Sequence, residues 1–217
     1  MRNHLKRRGV TGPPIMPIRL AGEVPPGEAK GAVADLEPGR FVLSVGDVVY
    51  RKNHALLVEV WRALAKHGPP LPLVIAGRVD QEGEALVQSV KRDPLLREHV
   101  RFIANANDAA LGWLYRHCRF TMFPSLLEGF GLPVAESLAC GKVCLASTAS
   151  AIPEAGQGAA IGLDPHDGAA WVEAVRLLSR DDTALAEHEA RIARDFRPVS
   201  WRDTVDDIMG AIAASGA

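Results

Sequence analysis

Two glutamates eight residues apart, Glu128 and Glu136, bracket a Gly129-Phe130-Gly131 turn and Pro133 in the stretch SLLEGFGLPVAESLACG (125–141). Proline has no N–H and a preset φ, so Pro133 suits the first position of a helix. If a helix opens there, the amides of Phe130, Gly131 and Leu132 have no intrahelical acceptor. Gly129 and Gly131 let the backbone approach a ligand closely, and the helix dipole adds about half a positive charge at this end. Phosphate is the matching guest. Glu136, about one turn inside, is a pure hydrogen-bond acceptor when ionised. A phosphate would repel it, whereas a pair of vicinal hydroxyls would suit it. Glu128, ahead of the turn, can hold hydroxyls on the far side of the phosphates. A hydroxyl-rich group, then phosphate, then another hydroxyl-rich group is the layout of a nucleotide sugar. Acids in a helix's first turn and glycine-rich turns also serve packing alone, so the bare pattern fits a structural turn equally well.

A second loop shifts the balance. DVVYRKNH (47–54) carries Arg51 and Lys52. A lysine there can neutralise a diphosphate without a metal and stabilise charge that develops on a leaving group. Alone, it would read as an exposed lysine beside a helix cap. Together with the acidic pair, it reads as part of a site.

The elements that must position these groups are short and apolar. FVLSVG (41–46), LPLVIAG (71–77), VRFIA (100–104), FTMFP (120–124) and KVCLAS (142–147) suit buried strands. In 54–67, Leu56, Leu57, Val60, Trp61 and Leu64 share one helical face, with Asn53 as the expected N-cap. Further helices are expected near 82–92, 108–117 (beginning after Asp108), 132–140, 168–180 (capped by Asp167), 182–195 and 201–214. This alternation predicts an α/β fold: a Rossmann-like parallel sheet with helices on both faces. Ligands then bind where the loops at the strands' carboxyl ends converge, here 47–53, 78–82 and 124–131. Residues 9–40 read as linker-like, with room for one short extended segment in PPIMPIRLAG (13–22).

Bulk properties narrow the partners. Of 217 residues, 47% are hydrophobic and 24% charged, and the formal net charge of −1 argues against nucleic acid as a partner. The basic run RNHLKRR (2–8) has no accompanying apolar stripe and reads as a solvated helix face. No run approaches the roughly 20 apolar residues of a spanning helix. Cys118, Cys140 and Cys144 form no CxxC pair and read as buried thiols, which points to a reducing compartment, the cytoplasm by default. The histidines do not cluster and no DxD triplet occurs, so no metal site is expected.

From residue 41 onward the chain resembles the carboxyl-terminal, donor-binding half of a GT-B fold retaining glycosyltransferase of glycosyltransferase family 4. The resemblance is carried by SVGDVVYRKNHALLVEVW, LVIAG, the long run from Arg101 to Ser147 with its E-x7-E element, IPEAG, and FRPVSWRD. It implies that Glu136 binds the donor's ribose hydroxyls and that Glu128, with main-chain groups of Phe130 and Gly131, holds the transferred sugar. It implies that Lys52 contacts the diphosphate and stabilises the leaving nucleotide, with Leu132 against diphosphate and ribose. Ile103 to Asn105 is similar to the base-contacting loop. The RKNH form points weakly to GDP-mannose among GDP- or UDP-linked donors, with no further cofactor and no metal.

Two departures from the family pattern stand out. Asp47 occupies the position where many members carry an arginine, so that either Arg51 substitutes for it or diphosphate binding is weaker than usual. The amino-terminal acceptor domain has no counterpart in 1–40, so it would act in cis or in trans and the acceptor is unspecified. The expected organisation is a remnant and linker over 1–40, the nucleotide-sugar domain over 41–200, and a helix over 201–217 returning toward the amino-terminal domain. An apolar face left uncovered on that helix would invite self-association. A full-length enzyme is compatible with a peripheral place at the inner membrane surface. A dinucleotide-dependent oxidoreductase shares this architecture but needs a G-x-G-x-x-G after the first strand, which SVGDVVYRKN lacks. A non-catalytic nucleotide-sugar-binding or regulatory module is the alternative that stays open.

Overall fold

The computed structural model describes residues 16, 18–26, 33 and 35–215. Within them, residues 22–198 and residues 16–21 with 199–215 form two compact units. The first unit holds six strands, each four residues or fewer: β1 Val42–Val45, β2 Leu73–Ala76, β3 Val100–Ile103, β4 Phe120–Phe123, β5 Cys144–Ser147 and β6 Ile161–Leu163. They pair in the order β3-β2-β1-β4-β5-β6, and every pairing is parallel. The α/β Rossmann-like sheet is as expected. Between β1 and β4 the strand order reverses, and the loops that follow these two strands open a crevice at the carboxyl edge.

Side-chain alternation shows why both faces are covered. Val42, Leu73 and Ile75 point into a core with Leu57, Val58 and Trp61 of α1 (His54–Ala65) and Val90 of α2 (Gln81–Arg92). Leu43, Val74 and Ala76, their neighbours along the same strands, point the other way. They pack with Trp113, Leu114 and Tyr115 of α3 (Asp108–His117). The first core continues to α4 (Leu132–Ala139) through Val134 and Leu138, and to α6 (Gly168–Arg180) through Trp171 and Val175. The short α5 (Ile152–Gly156) and α7 (Asp182–Asp195) complete this unit.

Several local expectations need correction. The cap of α3 is Asn107, whose side chain accepts from the Ala110 amide at 2.9 Å, and Asp108 is already helical. Asn53 holds the N-cap position of α1 but its side chain does not cap; its φ of 57° turns the amide elsewhere. Asp167 does cap α6. β6 and α5 were not foreseen, being too short for periodicity to register. Cys118 and Cys144 are buried as expected, whereas Cys140 is half-exposed. Residues 18–26 carry no strand. The basic run 2–8 and residues 13–15 and 17 of PPIMPIRLAG lie outside the described residues.

In the second unit, α8 (Trp201–Ser215) starts with a reciprocal cap: Ser200 and Asp203 each accept from the other's amide. Arg19 pairs with Asp207 at 3.1 Å, and the Thr204 hydroxyl donates to the Arg19 carbonyl at 2.9 Å. Val205, Ile208 and Met209 of α8 are exposed. No described helix is long and apolar enough to cross a membrane.

Candidate functional site

The loop after β1 is built around Lys52. Gly46 has φ 148°, and a Cβ there would lie 3.2 Å from Lys52 Cε, so the glycine lets the lysine stem cross the backbone. The ammonium sits 4.7 Å from the Phe123 ring centroid and 2.8 Å from Glu128 Oε1. Asn53 explains how this loop is held. Its Nδ2 donates to the carbonyls of Pro124 (3.2 Å) and Pro165 (3.0 Å), and the Leu126 amide donates to the Arg51 carbonyl (2.8 Å). Three loops from different strands are therefore clamped at one edge. The left-handed backbone that denied Asn53 its capping role is what aims its amide at them.

At the other wall, α4 begins at Leu132 with Pro133 second, one residue earlier than the proline suggested. Gly131 is the N-cap, with φ 109°. An added Cβ would meet nothing closer than 3.5 Å, so the conformation rather than space calls for glycine. Among the described residues, none accepts from the amides of Phe130, Gly131 or Leu132. They are free for an anion.

Glu128 precedes these amides in the chain and Glu136 follows them, each with partners of its own. Glu128 Oε1 takes Lys52 Nζ at 2.8 Å and Arg51 Nη1 at 3.1 Å. Its main chain is held by Ser150, whose hydroxyl donates to the Glu128 carbonyl at 2.7 Å and accepts from its amide at 3.3 Å. Glu136 is mostly buried, and Oε2 accepts from the Tyr115 hydroxyl at 2.6 Å. Burial raises the Glu136 pKa from its ordinary value, against the opposing pull of the Tyr115 hydrogen bond and the Lys52 charge. Burial, then the Glu136 charge, raises the Tyr115 phenol well above its ordinary value, so it remains a donor.

Buried polar groups without partners gather here. Among the described residues, Ser44 Oγ on β1, His54 Nδ1 at the start of α1 and Ser125 Oγ after β4 have no hydrogen bond. Unpaired buried polar atoms are rare and call for an explanation. Burial, followed by the Lys52 charge, lowers the His54 pKa to about 4, so the ring is neutral at physiological pH.

The other expected residues scatter. Phe130 packs on the core edge and Leu132 is half-buried at the first turn of α4. Ile103 ends β3, at the sheet edge two strands from β1, and Asn105 is exposed in the turn that follows. Among the described residues Asn105 makes no side-chain hydrogen bond. Arg51 is half-exposed and committed to Glu128. Asp47 faces Arg78 at 2.8 Å. Tyr115, Ser150 and Arg78 were missed in the sequence. Tyr115 had one usable signal, a polar tip on an apolar helical face, and Arg78 had another, a cation in the carboxyl-end loop 78–82; Ser150 had none, because its partner is distant in the chain.

Comparison with known proteins places the chain among relatives of the same fold. Residues 29–196 match the family model described as glycosyl transferases group 1. The serotype-specific mannosyltransferase WbdA of Escherichia coli is 30% identical over 169 residues, 77% of this chain and 21% of that protein. The O-antigen chain mannosyltransferase B of Escherichia coli is 28% identical over 173 residues, 79% of this chain and 45% of that one. The chain thus spans from about a fifth to somewhat under half the length of these two relatives. Among solved structures, Anabaena Alr3699/HepE in complex with UDP and glucose superposes with a TM-score of 0.69 at 18% identity. That match covers 81% of this chain and 48% of the other, and it shows the shared fold. With the matched model spanning the whole sheet and both walls of the crevice, the chain belongs to the glycosyl transferases group 1 family.

Proposed function

We propose that this chain is the donor-binding half of a retaining, metal-independent hexosyltransferase of the GT-B type, in glycosyltransferase family 4. The carrying observation is that Lys52 pairs with Glu128 just ahead of an unpaired helix start, and its charge also acts on Glu136 within that helix, beside the switch point of the sheet. In this reading Glu136 holds the ribose hydroxyls. The amides of Phe130, Gly131 and Leu132, with Lys52, hold the diphosphate, and Glu128 holds hydroxyls of the sugar. Lys52 has three donors, so it can keep Glu128 and take a phosphate oxygen at the same time. As the glycosidic bond to the diphosphate breaks, charge grows on the departing phosphate oxygen, and Lys52 is placed to stabilise it. Ile103 to Asn105 is assigned to the base, and Leu132 to the diphosphate and ribose.

The donor is a GDP- or UDP-linked hexose, and two relatives named as mannosyltransferases make mannose the first to try. The acceptor would be held by an amino-terminal domain in cis or in trans, because near-attack positioning can supply roughly 7–11 kcal/mol of barrier reduction. Calorimetry with UDP, GDP, ADP and their sugars tests the reading, run with and without EDTA. Binding of one nucleoside diphosphate unaffected by chelation is expected. If none of them binds, the proposal fails.

A further inference from the structure

Asp47 is the first residue past Gly46 at the end of β1, beside the lysine proposed to meet the diphosphate. A carboxylate there would repel that anion and compete with it for Lys52. Yet Asp47 is not bare. Its Oδ2 lies 2.8 Å from Arg78 Nη2, and its Oδ1 accepts from Arg78 Nε at 3.4 Å and from the Arg78 amide at 3.1 Å. The main chain fixes this meeting. The Gly46 amide donates to Ala76 at 2.9 Å and the Val48 amide to Arg78 at 2.7 Å, and Val48 and Val79 form one more bridge past the strand ends. The two backbones are so close that a Cβ on Gly77 would stand 2.1 Å from the Gly46 carbonyl oxygen.

We propose that Arg78 serves the donor site as the fixed counter-ion of Asp47, cancelling a charge that would otherwise weaken diphosphate binding. This rests on the donor-site reading above. The Arg78 hydrogen bonds hold Asp47 below the usual carboxylate range, and Lys52 adds to this, so the carboxylate is ionised at neutral pH and within electrostatic reach of the lysine. Stability is a poor alternative reason for the pair. The side chains of Arg78 and Asp47 are 82% and 39% exposed, and pairs so exposed contribute little to folding.

The test is a double-mutant cycle on the full chain, with UDP and GDP as charged probes and uridine and guanosine as uncharged ones. Arg78→Ala should weaken binding of the better diphosphate about threefold to fivefold, the scale of an exposed ion pair, and leave its nucleoside unchanged. Asp47→Asn keeps an oxygen for the Arg78 amide and removes the charge. In that background Arg78→Ala should have no effect. An equal loss in both backgrounds would overturn the proposal and make Arg78 a direct ligand contact. A loss that extends to the nucleoside, or a fall in melting temperature of matching size, would also overturn it in favour of a structural role. If the unaltered chain binds neither diphosphate, the donor-site reading falls and this proposal with it. If it binds and only the cycle fails, the donor-site reading stands.

Discussion

Replacing Tyr115 by Phe would isolate one hydrogen bond with little change of shape. Tyr115 is 1% exposed on α3, and its hydroxyl reaches Glu136 Oε2 at 2.6 Å. The bond favours the ionised carboxylate, while burial favours the protonated one. A hydrogen bond to a charged group contributes about 1.5–3 kcal/mol. Removing it should therefore raise the Glu136 pKa further, since only the Lys52 charge would remain to oppose burial. If ionised Glu136 holds the ribose, the variant should bind UDP or GDP about tenfold to a hundredfold more weakly at neutral pH. Its affinity should recover as pH rises, because a raised carboxyl pKa means that the binding-competent anion returns only at higher pH. Calorimetry from pH 5.5 to 9 reads this, with Glu136→Gln as the control that removes the titrating group. An affinity loss independent of pH would refute the reasoning. So would an equal effect of Tyr115→Phe in the Glu136→Gln background, since the hydroxyl would then act through packing rather than through the carboxylate.

The two glutamates should separate by ligand. Glu136→Ala weakens UDP or GDP alone, while Glu128→Ala spares the free nucleotide and weakens only the nucleotide sugar, as side-by-side titrations would show. Lys52→Ala should lower affinity for the nucleoside diphosphate with nucleoside binding nearly unchanged, and a hundredfold drop on chelation in the unaltered chain would refute metal independence. His54 sets a pH limit on folding. Its folded pKa of about 4 lies below the unfolded value of 6.5. The stability this represents is present above about pH 6.5 and is lost as pH falls through 4. The loss reaches about 3 kcal/mol at its fullest. Denaturant melts of His54→Leu should lack that part of the acid slope, and an unchanged slope would assign it to other groups.

What was legible in the chain and what was not divide along a physical line. The five longer strands, the expected helices and the Gly-Phe-Gly turn ahead of Pro133 could be read from residue types. Burial period, φ preference and the missing proline N–H act within a few residues, so local sequence carries them. Arg51, Lys52 and the acidic pair could be nominated for the same reason: carboxylates and cations at strand–helix turns have restricted uses. What each side chain does with its polar atoms was not legible. Asn53 fitted a cap by type, but in the fold it spans carbonyls 71 and 112 residues away. Asp47 and Arg78 lie 31 residues apart and meet only because β1 and β2 are neighbours in the sheet. Tyr115 and Glu136 meet because α3 and α4 flank β4 in the chain, at a register no periodicity encodes. β1 also pairs with β4, which begins 75 residues after β1 ends, and that pairing creates the crevice. Strand order is a global solution to burying all the apolar faces at once. The sequence determined which residues could bind a nucleotide sugar; only the tertiary structure decided which of them stand together, and with what charge beside them.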